Sequence, residues 1–319
     1  MLFIKVIFNS MLIRAVIITI LLNCLVFSQS DKFVYNTDTV MIENKMENAQ
    51  NPSQNFGDIY MPKWYEFVTN TPLNMYNVVT NSFSLDNLPA LGYISVVTAA
   101  LILTDPPTHS AVKTFFKDNP SLKYFGKDAV YIGNGGIEFG VGGLFALYGV
   151  SFSDDRALRT GLQCTEAIIS NGIMVQILKR IFGRESPVKV ASGSGIWHFF
   201  PNLAKYQKDQ PKYYSFPSGH LSTAMTVLTV IAENYPEAGY IKPVGYSLMG
   251  LLGIGLVAKD MHWFSDFPLA IALGYEFGKV ITSRNVSVNK SIETSDNLDV
   301  SFMPLFLPKG GGINMLMSF

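Results

Sequence analysis

The chain has little charge of either sign and only two cysteines. Charged residues make up 15% of it, against about 25% in typical soluble domains. Lysine plus arginine and aspartate plus glutamate both total 24, so no basic field is available to hold a nucleic-acid backbone and no nucleic-acid partner is expected. With hydrophobic residues at 48%, the low charge is typical of a helical protein in contact with a membrane.

The segment 1–28 has the pattern of a secretory signal peptide. Lys5 and Arg14 flank its start, an apolar run follows, and cleavage is predicted before Gln29. The alternative is an uncleaved anchoring helix. Either interpretation predicts an exported protein of the cell envelope, on the periplasmic side or in the inner membrane.

The two cysteines limit the covalent chemistry. Cleavage before Gln29 would leave Cys164 alone, which excludes an intramolecular disulfide even in an oxidising compartment. We expect Cys164 in the core. Lipidation of Cys24 is disfavoured because Asn23 is bulky where a small residue is wanted.

Apolar runs between residues 61 and 281 predict an all-α protein, a helical bundle of about six core helices. The runs cover residues 88–103, 130–152, 154–182, 218–234, 244–258 and 262–281. Prolines at 106 and 107 predict the end of the first helix. Few runs reach the ~20 apolar residues that a solitary membrane span needs, so a soluble and a membrane-embedded bundle both remain open.

Polar residues stand out in three segments: the third apolar run, the segment before the bundle and the segment after it. The third run carries Gln163, Glu166, Asn171 and Gln176, which are costly against lipid, so protein should surround that helix. Residues 29–60 form a polar leader without apolar periodicity. Residues 282–319 begin polar and end in two apolar runs around glycines, which predicts a short C-terminal β-hairpin-like tail.

The four residues 217–220 read Pro-Ser-Gly-His and directly precede a helical run. The amides of Ser218 and Gly219 therefore fall where a helix leaves N–H groups without internal partners, a position that favours an anion. Gly219 also lets the backbone approach a ligand closely. A purely structural helix cap by Ser218 is the alternative.

His262 and Asp266 stand four residues apart at the start of the sixth run. On a helix this spacing puts both side chains on one face. A carboxylate bonded to one ring nitrogen fixes the tautomer and leaves the other nitrogen as a nucleophile. The alternative is a capping histidine beside a solvated aspartate.

Three cations, Lys179, Arg180 and Arg184, lie at the end of the third run. They suit phosphate binding, although cations at a helix C-terminus are also favoured for structural reasons alone.

Taken in order, these three segments resemble the type 2 phosphatidic acid phosphatase (PAP2) and vanadium haloperoxidase superfamily. The resemblance covers about residues 88–281, within a helical phosphatase domain that we expect at 61–281. It implies that His262 attacks phosphorus and forms a phosphohistidine. It implies further that His220 protonates the leaving group and later activates water, and that Asp266 orients His262.

The resemblance also implies that Lys179, Ser218 and Gly219 hold phosphate oxygens, with no cofactor and no metal ion. Two family arginines are absent from their motif positions, which hold Ser186 and Leu256 instead. Arg184 and Lys259 are close enough in sequence to be predicted as replacements. Lysine would orient a phosphate less well than arginine because it offers a point charge and no bidentate fork.

The predicted function is therefore a metal-independent phosphatase acting on lipid phosphate or pyrophosphate monoesters. The partner would be a phosphorylated lipid or a small phosphate ester, with a membrane nearby. Lipid A, undecaprenyl pyrophosphate and phosphatidic acid all remain open as substrates. One alternative is a non-catalytic phosphate- or lipid-binding protein on the same fold, and another is a vanadate-dependent haloperoxidase, which the absent arginines disfavour.

Overall fold

The computed structural model describes residues 60–122, 124–190, 193–292, 299–307 and 310–318. The predicted signal peptide 1–28 and residues 29–59 of the predicted leader lie outside the described residues.

The described residues form an all-α bundle, as predicted. Its ten α-helices are α1 Glu66–Thr69, α2 Thr71–Ser82, α3 Leu88–Asp118, α4 Phe125–Val130, α5 Gly135–Phe152, α6 Asp155–Phe182, α7 Leu203–Lys208, α8 Gly219–Asn234, α9 Ile241–Ala258 and α10 Phe267–Ile292. The six longest, α3, α5, α6, α8, α9 and α10, correspond to the six predicted runs. In the tail, β1 Asp299–Leu307 and β2 Gly310–Ser318 pair antiparallel as a hairpin, with Asp299 opposite Ser318.

Local sequence fixes the ends of α6. Asp154 precedes the helix and its carboxylate accepts a hydrogen bond from the Ala157 amide at 2.9 Å, which satisfies one of the N–H groups that a helix start leaves unpaired. At the other end Gly183 takes a left-handed conformation with φ +53°. A Cβ there would lie 2.1 Å from the His198 carbonyl oxygen, so glycine is required.

Helix α6 lies inside the bundle and carries polar side chains there, as the sequence predicted for Gln163, Glu166 and Asn171. Glu166 accepts hydrogen bonds at 2.6 Å from both Asn74 and Arg284. Gln176 is exposed instead, at the end of the helix nearest the candidate site. Gln163, Glu166 and Asn171 each bond to at least one partner on a neighbouring helix, which fixes how those helices are oriented around α6.

Helices α8 and α10 pack closely because small residues face one another. The Cα of Gly274 lies so near α8 that a Cβ would stand 2.2 Å from the Ser222 carbonyl oxygen. This contact brings the N-terminus of α8 beside the loop that precedes α10. Met225 and Ile271 are among the buried residues of the cluster that fills the space next to it.

The prediction that the first helix ends at residues 105–107 is wrong. Helix α3 continues through Pro106 and Pro107 to Asp118. A proline inside a helix costs about 3 kcal/mol, and α3 is held by contacts with other parts of the chain on both sides of the pair. Asp105 before them forms an ion pair with a buried arginine, and Lys113 after them forms an ion pair at 2.7 Å.

The sixth helix also begins later than predicted. Helix α10 starts at Phe267, and residues 264–266 form a single 3₁₀ turn ahead of it. His262 therefore stands in a loop and does not open the helix.

Among the helices that the structure describes, three are long and apolar enough to cross a membrane, namely α3, α5 and α9. They expose large apolar side chains such as Leu103, Leu147 and Val244.

Candidate active site

The three predicted segments converge at one place. His220, in the first turn of α8, lies with its ring centroid 6.1 Å from that of His262 in the loop before α10. Lys179, near the end of α6, has its Nζ 3.6 Å from the point where a Cβ on residue 219 would stand. The Ser218 amide donates to the Asp266 carbonyl oxygen at 3.1 Å, which ties the start of α8 to the loop.

The ring of His262 is held in one tautomer. Its Nδ1 lies 2.7 Å from the Ser215 carbonyl oxygen and 3.4 Å from Asp266 Oδ2. A carbonyl only accepts hydrogen bonds, so Nδ1 carries the proton and Nε2 keeps its lone pair. Nε2 is buried and has no hydrogen-bond partner among the described residues. The predicted His262–Asp266 contact is present, although a loop and not a helical face creates it.

Asp266 is fully buried and its carboxylate is bonded on both oxygens. Arg184 Nη1 donates to Oδ1 at 2.6 Å. Ser215 Oγ donates to Oδ2 at 2.6 Å, and the Trp263 amide donates to the same oxygen at 2.8 Å. Burial opposes ionisation, but the Arg184 charge and the hydrogen bonds outweigh it and hold the pKa of Asp266 below its ordinary value. The carboxylate is therefore ionised.

The surroundings of both histidines favour the neutral imidazole. Burial is the main cause that lowers the pKa of His262, with Lys179 acting in the same direction and Asp266 opposing it. Burial, together with His262 and Lys179, lowers the pKa of His220 to about 3. A phosphate anion between these groups would raise the pKa of His220, because it stabilises the charged imidazolium.

Lys179 is the cation of the site that is not already bound to a carboxylate. Burial lowers its pKa to about 8, while Asp266 acts to raise it. Its Nζ lies 5.1 Å from the centroid of the Tyr214 ring, and no ion-pair partner for it appears among the described residues. It keeps a substantial positive charge near neutral pH and faces the start of α8.

Ser218 does not cap α8, which decides between the two interpretations of its hydroxyl. The side chain makes no capping hydrogen bond, and its Oγ is buried without a partner in the described part of the chain. Its amide is not free, contrary to expectation, because the Asp266 carbonyl accepts it. Gly219 is the first residue of the helix, where the N–H has no partner within the helix.

Arg184 lies near the site, as predicted. Its predicted role as a replacement phosphate clamp is wrong for both Nη atoms, because they are already bonded within the protein. Nη1 donates to Ser265 and Asp266, and Nη2 donates to Asp105 and to the Ser194 carbonyl. Only Nε lacks a partner. Two carboxylates within 2.6 Å bind the charge more tightly than an exchanging ligand would.

Lys259 does not reach the site, and the prediction that it replaces an arginine is wrong. It is exposed at the C-terminal end of α9, and its side chain lies against Gly126 of α4. The chain reverses at Asp260, which has φ +59°, before it enters the site. Sequence proximity to His262 therefore does not become spatial proximity.

The two motif positions that lack arginine have structural contacts instead. Ser186 is buried and its hydroxyl donates to the Pro211 carbonyl at 2.8 Å. Leu256 is fully buried in the apolar cluster.

Sequence reasoning missed three residues of the site. Ser215 holds both His262 and Asp266, Ser265 bonds to Arg184, and Asp105 pairs with the same arginine. The two serines stand beside motif residues, which was a weak signal. Asp105 gives none, because it precedes two prolines, which predict the end of a helix.

Three buried polar atoms with no partner in the described structure belong to this site: His262 Nε2, Ser218 Oγ and Arg184 Nε. Buried polar groups are normally hydrogen-bonded, so such a group calls for a ligand. Within the described ranges, no group of three or more His, Cys, Asp and Glu side chains could hold a metal ion. The donors and the cation present, Lys179 above all, suit an oxyanion.

Comparison with known proteins bears on the same segment. The family model of the PAP2 superfamily matches residues 160–287, which contain all three motifs, and the resemblance drawn from those motifs is thereby confirmed. The search of curated proteins found no match. Among solved structures, the chain is similar to a crystal structure described as the first transmembrane PAP2-type phosphatidylglycerolphosphate phosphatase from Bacillus subtilis, with 14% identity, coverage of 72% of this chain and 98% of that chain, and a TM-score of 0.34.

Proposed function

We propose, from the premise that residues 160–287 are a PAP2-superfamily segment, that the protein is a metal-independent phosphatase acting through a phosphohistidine. One observation carries the proposal. His262 Nε2 is buried, unpartnered and deprotonated, while Nδ1 is fixed by Ser215 and Asp266. An imidazole prepared in this way, next to a second histidine and a buried lysine, is suited to attack a phosphoryl group.

In the first step, His262 Nε2 attacks phosphorus and a P–N bond forms as the P–O ester bond breaks. The positive charge that develops on the imidazole is stabilised by ionised Asp266. His220 donates a proton to the departing oxygen, so the leaving group is an alcohol, or a phosphate for a diphosphate substrate. The bound phosphate anion supplies the charge that lets His220 carry this proton.

In the second step, His220 is neutral and accepts a proton from water as the water oxygen attacks phosphorus. The P–N bond breaks, its electron pair returns to His262 Nε2, and inorganic phosphate leaves. The proton on His220 is then available for the next leaving group.

Lys179, the Ser218 hydroxyl and the Gly219 amide are proposed to hold the phosphate oxygens. An arginine that stabilises a phosphoryl transition state is worth about 10³–10⁵ in rate. Ser186 and Leu256 offer no such group, so turnover is expected to be slower than a site with both arginines would allow.

The proposed substrate class is a lipid phosphate or pyrophosphate monoester in the cell envelope. Three apolar helices, α3, α5 and α9, support a membrane setting. We place the site on the periplasmic side or at the inner membrane, following the predicted signal peptide 1–28. The phosphatase domain is proposed at 61–281, followed by the tail 282–319.

A non-catalytic phosphate- or lipid-binding protein is the second candidate. The observation that favours it is the loss of both motif arginines, since Arg184 is bound by carboxylates and Lys259 lies outside the site. Binding of phosphate or vanadate without turnover would distinguish this candidate from the enzyme.

The test is phosphate release by the purified full chain from a panel of lipid phosphates and diphosphates with EDTA present. We expect turnover by the wild type and none by His262→Ala, while Lys259→Ala, the matched change of a nearby cation outside the site, keeps wild-type turnover. Turnover that EDTA abolishes, or that survives in His262→Ala, would contradict the proposal.

A further inference from the structure

We infer that Asp105, on helix α3 and outside the segment that matches the family, is a positioning residue for the His262 nucleophile and acts through Arg184 and Asp266. The inference rests on the proposed function and adds a residue to its machinery.

The contacts form an unbroken chain of charged groups. Asp105 Oδ2 accepts a hydrogen bond from Arg184 Nη2 at 2.6 Å, and Arg184 Nη1 donates to Asp266 Oδ1 at 2.6 Å. All three side chains are fully buried. Ser265 closes the arrangement, because its hydroxyl donates to Asp105 and its amide donates to Asp105 Oδ1 at 3.3 Å.

This arrangement fixes the rotation of the Asp266 carboxylate. Oδ2 receives the Ser215 hydroxyl and the Trp263 amide and faces His262, while Oδ1 receives only Arg184 among the described residues. The other Nη donates to Asp105 and to the Ser194 carbonyl, and Asp105 is the charged partner of the two. With both Nη atoms held, the planar fork has one orientation and Asp266 keeps Oδ2 beside the imidazole.

The charge count supports the same role. The Arg184 guanidinium and the Asp266 carboxylate together sum to zero charge, and the Asp105 carboxylate gives the three groups a total of −1. Arg184 therefore presents no net attraction to a substrate phosphate and stays on Asp266. Buried ion pairs are weak sources of stability but can fix one geometry, and this network fixes the geometry of the nucleophile.

A second link between α3 and the same loop provides a matched control. Lys113 pairs with Asp260 at 2.7 Å, and His109 lies 2.7 Å from the other oxygen of that aspartate. Both contacts are partly exposed and touch neither Arg184 nor Asp266. Lys113→Ala therefore weakens the docking of α3 on the loop without altering the charged chain.

The experiment compares full-length wild type, Asp105→Asn, Asp105→Glu and Lys113→Ala in the same detergent and substrate panel. For Asp105→Asn we expect kcat to fall by about 10- to 100-fold, the range seen when partners behind catalytic groups are removed. KM and inhibition by inorganic phosphate should be unchanged. Asp105→Glu should recover part of kcat, and Lys113→Ala should match the wild type.

The pH profile separates positioning from a merely structural role. The titratable and charged groups around His262 are Asp266 in its own loop, Lys179 on α6, His220 on α8 and Tyr214 before α8. Losing a nearby carboxylate makes this surrounding more positive, so His262 stays neutral to lower pH. The acid limb of kcat should move to lower pH in Asp105→Asn, whereas partial misfolding would scale the whole profile down without moving it.

Wild-type kcat with an unmoved acid limb in Asp105→Asn would overturn the inference. If that variant does not accumulate as folded protein, Asp105→Glu decides, because it keeps the negative charge and displaces the carboxylate by one methylene. A lowered kcat at unchanged KM in Asp105→Glu supports the role of Asp105, and wild-type kcat overturns it. A wild type that is inactive on the whole panel contradicts the proposed function itself, which is a different result from any of these.

Discussion

At the scale of single residues, the site combines tightly bonded groups with groups that have no partner. Both carboxylate oxygens of Asp266 accept hydrogen bonds. His262 Nε2 and Ser218 Oγ are buried and have no hydrogen-bond partner among the described residues. An unsatisfied buried polar group costs about 1–3 kcal/mol. Local rules of stability are broken most often where function requires it, and here the unpaired atoms belong to the groups proposed to meet phosphorus and its oxygens.

Two serines of the site should respond to alanine in opposite ways. Ser218→Ala removes an unpaired hydroxyl, so stability should stay equal or rise while phosphate inhibition weakens. Ser215→Ala leaves buried Asp266 with one donor fewer and should destabilise the protein by about 1–3 kcal/mol. Unfolding midpoints of both variants, with inhibition by inorganic phosphate, test this. Destabilisation by Ser218→Ala would mean that its hydroxyl has a structural partner.

The buried histidines predict how stability depends on pH. Burial is the main cause that lowers the pKa of His262 and that lowers the pKa of His220 to about 3. An unfolded histidine titrates near 6.5, so below that pH the unfolded chain binds more protons than the folded one and stability falls as pH falls. Each histidine adds a slope of about 1.4 kcal/mol per pH unit.

The pH dependence of stability is measured from the unfolding midpoints of the wild type and His220→Gln between about pH 5 and 8, a range that spans the reference pKa of histidine. The variant should show a shallower acid-side loss, because it has one titrating group fewer. Equal slopes for the two proteins would show that His220 does not have a lowered pKa. Lys179 does not contribute to this comparison. Its pKa is lowered from 10.5 to about 8, so its protonation affects stability only above the pH range of the experiment.

At the scale of elements, the sequence predicts the six long helices and fails where tertiary contacts override local rules. Apolar runs identify the six long helices, because a long helix that packs in the bundle must present apolar residues along its length. Helix α3 passes through Pro106 and Pro107, and ion pairs with distant residues hold it on both sides of the prolines. The sequence around Asp105 and Lys113 does not indicate their ion-pair partners, which lie 79 and 147 residues away.

The same limit applies to the candidate site. That His220, His262 and Asp266 lie close together was predictable, because short motifs contain all three. The partners of Arg184 were not predictable. Whether this cation contacts a substrate or a carboxylate depends on Asp105, which lies on a separate helix. Lys259 failed for the related reason that a reversal at Asp260 separates it from His262.

The close pairing of α8 and α10 predicts a sharp effect at one glycine. A Cβ on Gly274 would stand 2.2 Å from the Ser222 carbonyl oxygen and 2.8 Å from Met225 Cβ. Gly274→Ala must therefore push the helices apart, and we expect a loss of about 1–3 kcal/mol, typical of overpacking. Because α8 carries His220, turnover should fall as well.

Gly172→Ala on α6 is the matched control, since no atom lies within 4 Å of its Cβ position. Alanine favours a helix over glycine by about 1 kcal/mol, so this variant should be as stable as the wild type or more so. Thermal unfolding of the two variants distinguishes them, and equal midpoints would contradict the close packing of α8 against α10.

At the scale of the whole molecule, polar and apolar helices are divided between inside and outside. Helix α6 carries its buried Gln163 and Glu166 inside the bundle. The three helices apolar enough to span a membrane, α3, α5 and α9, expose side chains such as Leu103 and Leu147. Exposed apolar area of this extent is unusual for a soluble monomer and marks a surface that meets something apolar.

We therefore predict that the protein stays in the membrane fraction after an alkaline carbonate wash and leaves it only with detergent. Helices with their apolar side chains in lipid are not released when surface charges are changed. Quantitative blotting of the supernatant and the pellet measures this. Release of the protein by carbonate alone would show that the exposed faces of α3, α5 and α9 are covered by something other than lipid.

The most direct test of the account is to trap the phosphorylated residue. Full-length His220→Ala, mixed with an aryl phosphate whose leaving group departs without a proton and quenched in alkali, should carry phosphate on His262, because the water-activating group is absent while the nucleophile remains. Mass spectrometry of the digested protein locates the phosphate, with the double variant His220→Ala, His262→Ala as control. Phosphate on His262 in the single variant and none in the double variant is the predicted result. Turnover by the wild type together with phosphate on another residue, or full activity in His262→Ala, would contradict it.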